Sequence, residues 1–364
     1  MIFQWQLFVL LIVVGVLAGS ANMIEGVNSF GQIETRYKLA PALFVAIPLI
    51  YLAGTRGDNI GDTYVYRESF LNMPSSISAI PGYITDDMRD KGFAVLSVVI
   101  KSIIGNKDVV YFTIIAAICI LCVVLTYRKY SCNFIISVFL FIASGEYIQW
   151  TYNGIRQFIP VAILFACTGL ILKKKYIPFI MLTLILSTIH ASALLMIPMV
   201  FIVQGRAWNR KTMLLMIAVI IAIASLEQFT DLVTGIMENT QYSGEVDQYL
   251  STEGTSLQRV LVYSIPAILS LVLKRRIDRE NHPVINLAAN MALITALTYL
   301  LSAFTSGIFL GRIPIYFSLY NYILLPWLIE HCFTKNSARL IYLVLIGCYL
   351  LFYYFQMHVT WNLG

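Results

Sequence analysis

Residues 109–127 read VVYFTIIAAICILCVVLTY, a run of 19 residues without a charge. A helix of that length reaches across a hydrocarbon core about 30 Å thick. The run does not alternate between apolar and polar positions, as the strands of a membrane barrel do. Working outward, similar runs lie near 2–19, 39–54, 133–150, 154–172, 176–190, 191–204, 212–227, 257–273, 284–304, 309–329 and 338–357, for twelve apolar segments in all. The chain is 59% hydrophobic and only 12% charged, against about a quarter charged in a soluble domain. This excludes a soluble globular enzyme, a disordered regulator and, despite the net charge of +6, a nucleic-acid binder. The expected fold is all-α, a polytopic integral membrane protein with about 12 transmembrane helices. No fixed-period repeat and no Gly/Ser linker is visible, so residues 1–364 are expected to form one membrane domain with two external loops, 55–108 and 228–256.

The basic residues orient this array. Lys173–Lys175, Arg206/Arg210/Lys211, Lys274–Arg276 with Arg279, Arg128/Lys129, Lys335/Arg339 and Arg36/Lys38 fall in alternate connections. Placed in the cytoplasm, those connections hold 16 of the 25 Lys and Arg and 5 of the 19 Asp and Glu, a balance of +11 inside and −5 outside. That is the positive-inside pattern. It puts the clusters flanking 176–204 on one side, which favours two short helices meeting outside near His190. The first apolar run lacks a basic leader and a small-residue cleavage site, so it reads as a retained span. Cys119 and Cys122 form a C-x-x-C at lipid depth and read as small apolar filler. The four His are too scattered for a metal site, and no phosphate-binding glycine fingerprint is present, so neither metal nor nucleotide cofactor is expected.

The external loops differ in kind. In the first, Gly92–Gly105 is apolar but short and interrupted by Lys101, as for a helix lying at the interface or re-entering the membrane. The second carries Glu227, Asp231, Glu238, Glu245, Asp247 and Glu253 and reads as an acidic cap.

Ionisable residues near lipid are functional candidates because their desolvation needs a partner or a ligand. Arg56-Gly57-Asp58-Asn59-Ile60-Gly61-Asp62-Thr63 suggests a tight turn, after which Asp62, Thr63, Tyr66 and Phe70 keep helical spacing. This is either an interfacial turn with headgroup-level aromatics or a phosphate- and sugar-facing site. In the second reading Arg56 binds phosphate, Asp62 acts on a hydroxyl and Tyr66 stacks on a sugar. Asn153-Gly154-Ile155-Arg156-Gln157 opens a helix, with Pro160 one turn later. Arg156 is then either a snorkelling arginine or part of an anion site, where free N–H groups add to the guanidinium. His190 is either a packing histidine or a general base. Arg312 lies at the outer end of a late span, and Glu146 and Arg259 are ion-pair or gating residues. Together Arg56, Asp62, Arg156, His190 and Arg312 converge on one leaflet. Two Arg can hold a lipid pyrophosphate bidentately while Asp62 or His190 activates an acceptor hydroxyl. The late His282, His331 and His358 have no assigned role.

These residues resemble the EpsG/Wzy-type exopolysaccharide and O-antigen polymerases. The likeness rests on Arg56 with Gly61-Asp62-Thr63 and Tyr66, on Asn153 with Arg156-Gln157, on His190-Ala191-Ser192-Ala193, and on Arg312 with Tyr316-Phe317. It departs where Gly61 and Asp62 are adjacent, and where a Glu-Pro-Gly-Phe-like entry reads Asp90-Lys91-Gly92-Phe93. The resemblance implies a GT-C-like membrane glycosyltransferase of the bacterial plasma (inner) membrane, with its site facing the periplasm or cell exterior. Such an enzyme joins oligosaccharide repeat units carried on undecaprenyl pyrophosphate into O-antigen, capsule or exopolysaccharide. It would work beside membrane lipid and a chain-length-determining co-polymerase, without nucleic acid. Asp62, His190 and Arg156 are the expected catalytic residues, and Arg56, Tyr66, Asn153, Gln157 and Arg312 the expected substrate-binding ones. The rival readings are a flippase for the same lipid-linked unit, which should carry its charges at the bilayer midplane between repeats, an O-antigen-ligase-like transferase, and a membrane scaffold.

Overall fold

The computed structural model describes residues 23–27, 33–238, 243–251 and 253–360. The expected first span, 2–19, lies outside the described residues. An antiparallel hairpin opens the described chain, β1 (Met23–Val27) with β2 (Ile33–Tyr37). It is the one departure from an all-α architecture among the described residues. Arg128 donates from Nε to the Tyr37 carbonyl at 2.8 Å, and the Tyr37 ring meets Phe134 at 5.4 Å, so the hairpin's end is tied to the helical body.

The helices of ten residues or more come in order: α1 (Leu39–Gly54), α2 (Thr63–Asn72), α3 (Lys91–Ile104), α4 (Asp108–Tyr130), α5 (Phe134–Ala143), α6 (Ile155–Ala166), α7 (Tyr176–Ser187), α8 (Arg210–Ala224), α9 (Leu226–Glu238), α10 (Leu257–Val272), α11 (Pro283–Ala303), α12 (Asn321–Cys332) and α13 (Lys335–Phe355). Among the described residues three helices are long and apolar enough to cross a membrane unaided, and up to six spans result if each of three bent pairs is one crossing. The expected segment 133–150 is such a pair, with α5 and the turn at 146–153 bent by 69°. The expected span at 309–329 is interrupted, with Leu310–Arg312, Ile315–Ser318 and α12 in succession. Pro314 and the polar Ser318 and Asn321 stand at those interruptions. The break expected near His190 is present. α7 ends at Ser187, and the chain resumes as a tight helix at Ala191–Leu195.

The expected acidic loop 228–256 begins inside a helix. α9 leaves α8 at 100° and is strongly amphipathic. Its Glu227, Asp231 and Glu238 are spaced among Phe229, Leu232 and Ile236 in a way that a loop reading of the charges overlooks.

The described residues form two compact units. The first falls within Met1–Leu170, Ile177–Leu194 and Ile329–Gly364. At its centre α4 packs against α1 on one side and α6 on the other. α1 presents Ala42, Ala46, Leu49 and Ala53 at helical spacing, all buried. Small residues let backbones approach closely where lipid removes any hydrophobic drive between helices. The opposite face of α1 shows Phe44, Ile47 and Tyr51, an arrangement costly in water and natural in a bilayer. Tyr127 meets Phe165 edge-on at 5.4 Å, and Phe141 stacks on Phe158, which locks α5 and α6 around α4.

The second unit, Ile171–Tyr176 with Leu195–Leu328, is organised by two polar residues one turn apart on α11. Asn290 donates to the Val203 and Arg206 carbonyls at 3.0 Å and accepts from the Trp208 N–H at 2.8 Å. Asn286 accepts from the Ala207 N–H at 3.1 Å. The loop after Val203, with Val203 and Ala207 buried, is thus given backbone partners by side chains of α11.

In the first unit the amphipathic α3 is held by the residue that interrupts its apolar run. Lys101 is 2% exposed, and its Nζ donates to the carbonyls of Phe70, Leu71 and Met73 at 2.8, 2.8 and 2.6 Å. A cation at the end of α2 satisfies carbonyls that the helix leaves open and complements its dipole. Lys101→Met keeps the apolar stem and removes the donors. The expected loss is about 2–4 kcal/mol, read as a lower unfolding midpoint in detergent. A midpoint equal to the wild type would show that the three carbonyls do not depend on Lys101.

Candidate functional site

The site grows from the turn after α1. Gly61 stands at φ +55, a left-handed conformation that glycine adopts without cost. A Cβ there would press on Asn153 at 3.3 Å. The turn is also held by Arg67, which pairs with Asp58, reaches Asp108 Oδ2 at 2.6 Å from Nε, and donates to the Arg56 carbonyl at 3.2 Å. Asp62 caps α2 with its backbone, and its exposed carboxylate accepts no N–H of the helix.

Arg56 is 4% exposed. Its Nη1 donates to the Thr151 carbonyl, and the guanidinium lies 4.0 Å from the Phe112 ring centroid and 5.4 Å from that of Tyr152. Its Nε is buried with no hydrogen-bond partner among the described residues, and no ion pair joins Arg56 to a carboxylate among them. Burial pushes the guanidinium down to about 10, opposed by the surrounding Tyr152, Tyr147, Tyr111 and Tyr66. Arg56 therefore remains a cation at neutral pH. Because its folded-state value lies below the ordinary one, keeping it charged costs stability, on the order of 3 kcal/mol, and this is relieved only above about pH 10.

The turn at 146–153 presents the second cation. After α5 the chain turns at Gly145, passes through Glu146–Ile148, and widens into a π-type turn at Gln149–Asn153 before α6. Glu146 is buried and accepts from the Trp150 indole N–H. The Tyr147 hydroxyl donates to the Leu49 carbonyl at 2.7 Å, and the Tyr147 and Tyr152 rings meet edge to face at 5.9 Å. Arg156 then falls in the first turn of α6, half-exposed, with Gln157 buried beside it. The Tyr66 hydroxyl donates to the Asn153 carbonyl at 3.2 Å, and the Arg156 guanidinium sits 5.8 Å from the Tyr66 ring centroid. Asp62 lies within Coulombic range of Arg156, and both guanidiniums act on the Tyr111 hydroxyl.

The third piece arrives through the start of α3. Asp90 Oδ2 accepts from Arg156 Nη1 at 3.0 Å, and the Phe93 ring meets Tyr66 edge-on at 6.2 Å. The Gly92 N–H donates to the Thr188 carbonyl at 2.8 Å, and a Cβ at Gly92 would collide with the Thr188 backbone and hydroxyl. Two residues further on, His190 Nδ1 pairs with Ser192 Oγ at 2.7 Å and accepts from the Ser192 N–H at 3.4 Å. An accepting Nδ1 places the proton of the neutral ring on Nε2.

Arg56, Asp62, Tyr66, Asn153, Arg156 and Gln157 are thus brought together in the first unit, and His190 belongs to the same unit, two residues beyond the Thr188 carbonyl that Gly92 binds. Arg312 belongs to the second unit, exposed at the end of the tight turn Leu310–Arg312. Phe112, Thr151 and Asp90 are further site residues that the sequence motifs do not include. The Asp-x-Gly-Phe at 90–93, a departure from the family pattern, is the one signal in sequence for Asp90. Phe112 and Thr151 carry no signal in sequence, since their roles rest on a ring face and a backbone carbonyl. Among the described residues no group of three or more His, Cys, Asp or Glu side chains could hold a metal ion.

Arg56→Met separates charge from packing. Removing the buried cation relieves its desolvation, while the Thr151 carbonyl loses a donor worth about 1–3 kcal/mol. The net stability change in detergent is expected to stay within about 2 kcal/mol. A loss above about 3 kcal/mol would instead point to a broken buried ion pair.

The model of the EpsG family matches residues 39–362. No curated protein and no solved structure matches the chain.

Proposed function

We propose, from the premise that this chain belongs to the EpsG family, the family of Wzy-type polysaccharide polymerases, that it joins repeat units carried on a lipid pyrophosphate at the Arg156 site. The observation that carries this reading is a buried Arg56 with no ion-paired carboxylate among the described residues, next to a half-exposed Arg156 at a helix start. Two cations at the positive end of a helix hold a pyrophosphate strongly. The lipid carrier is read as undecaprenyl pyrophosphate. The site is read as facing the periplasm or cell exterior of a twelve-span, GT-C-like protein.

In this reading Arg156 contacts the pyrophosphate directly and Arg56 contributes charge from behind the Thr151 turn. Tyr66 and Gln157 orient sugar. Asp62, exposed and unused by its helix cap, takes the proton of the acceptor hydroxyl. That oxygen bonds to the anomeric carbon of the growing chain as the bond from this carbon to the pyrophosphate oxygen breaks. The electron pair leaves with the lipid pyrophosphate, so no nucleotide is needed. His190 offers its Nε2–H to the leaving oxygen. Arg312 is read as a substrate contact of the second unit.

Polymer length read as a ladder tests these roles. Arg156→Ala, expressed at normal level, should lose long chains, and Arg156→Lys should restore only part, because an ammonium is not bidentate. Asp62→Asn should slow elongation by about 10²–10⁴. His190→Gln, which keeps a donor, should retain more activity than His190→Ala. Long chains at wild-type rate from Arg156→Ala would overturn the pyrophosphate assignment, and from Asp62→Asn the choice of base.

A further inference from the structure

Asp90 is placed in an unusual way for an aspartate at the start of a helix. Such a side chain ordinarily accepts an N–H of the first turn. Here the residue stands at φ 51, its carbonyl receives the Phe93 and Ala94 N–H groups at 2.8 and 3.2 Å, and its carboxylate caps no N–H of the helix. Oδ2 goes to Arg156 instead. The Asp90 side chain is 10% exposed and that of Arg156 is 44% exposed. The accessible cation of the site therefore carries an internal anion, held by a hydrogen bond of 3.0 Å and fixed in position by the Gly92–Thr188 contact.

Any ligand of Arg156 shares the guanidinium with that carboxylate, which already takes one Nη1 donor and offsets part of its charge. A phosphodiester headgroup brings one negative charge and replaces like with like. A pyrophosphate brings more charge and more oxygens, which suit the planar fork of arginine. Asp62, within Coulombic range of Arg156, raises the threshold for a weak anion further. An arginine near lipid headgroups would otherwise be occupied by the abundant anionic phospholipid, and selectivity built from an internal competitor is a known form of discrimination against wrong partners. We propose that Asp90 is a specificity-determining residue which sets a charge threshold at Arg156, so that a lipid-linked pyrophosphate enters and a singly charged phospholipid headgroup does not. This rests on the pyrophosphate reading of the site.

The test uses the full chain in nanodiscs of phosphatidylcholine, with and without phosphatidylglycerol, and measures binding of undecaprenyl pyrophosphate. The wild type should bind equally in both. Asp90→Asn, which keeps the shape and removes the charge, should bind about tenfold tighter in phosphatidylcholine, the equivalent of about 1.4 kcal/mol. It should lose that gain when phosphatidylglycerol is present, and Asp90→Glu should restore the wild-type pattern. A purely supporting role for Asp90 predicts the opposite sign, with weaker binding by Asp90→Asn in both lipids, and would overturn the proposal. Tighter binding that phosphatidylglycerol does not erode would overturn it as well. If the wild type binds no better than Arg156→Ala, the pyrophosphate reading itself fails, and the threshold with it. A wild type that binds better than Arg156→Ala, with Asp90→Asn unchanged, removes the threshold alone.

Discussion

One bond ties the site together: the Arg56 guanidinium donating to the Thr151 carbonyl. It joins the turn after α1 to the wide turn before α6, two segments 95 residues apart in the chain. Without it the buried Thr151 of the 146–153 bend would lose this donor to its carbonyl. The bond is made by a charge that gains no ion-paired carboxylate among the described residues, only the faces of Phe112 and Tyr152. A neutral donor would hold the carbonyl at less cost. Retaining a cation there is a sacrifice of stability for a local potential, the usual relation between a strained or desolvated site and its chemistry.

Around that bond the first unit is built as layered support. Arg67 fixes the turn that carries Arg56, Lys101 fixes the end of the helix that carries Tyr66, and Gly92 brings α3 against the turn that carries His190. These supports are mostly side chains donating to backbone carbonyls. Such contacts set positions without demanding an exact partner side chain.

Much of the architecture is legible in hydropathy, because a bilayer admits few alternatives to the helix. The run at 109–127 forms the body of α4, and the basic clusters around 176–204 favour a break such as the one at 188–190. The expected twelve crossings do not all follow, since among the described residues three helices, or up to six spans with bent pairs, are long and apolar enough to cross; the other features that hydropathy misses are local. The 23–27/33–37 hairpin sits in a short connection where hydropathy has little contrast. α9 hides in an acidic stretch, where a count of charges suggests a loop and only their periodicity reveals a helix. At the site, the motifs point to Arg56, Asp62, Tyr66 and Arg156, since charge near lipid is scarce enough to notice. Asp90 escapes them because its residue type departs from the motif, and its contact to Arg156 is visible only in the fold. Arg312 belongs to the second unit, at the end of the tight turn Leu310–Arg312.

The entry to α3 has a consequence for how this chain can change over generations. Residues 90–93 make three directed contacts in four positions: a carboxylate to Arg156, an amide to Thr188 and a ring to Tyr66. A single inserted or deleted residue there would rotate the remainder of α3 by about 100° and break all three at once. The stretch from Ser75 to Asp87, largely surface-exposed, has no such constraint. Length variation among descendants of this chain should therefore collect before Asp90 and stop there, even where the residue types drift.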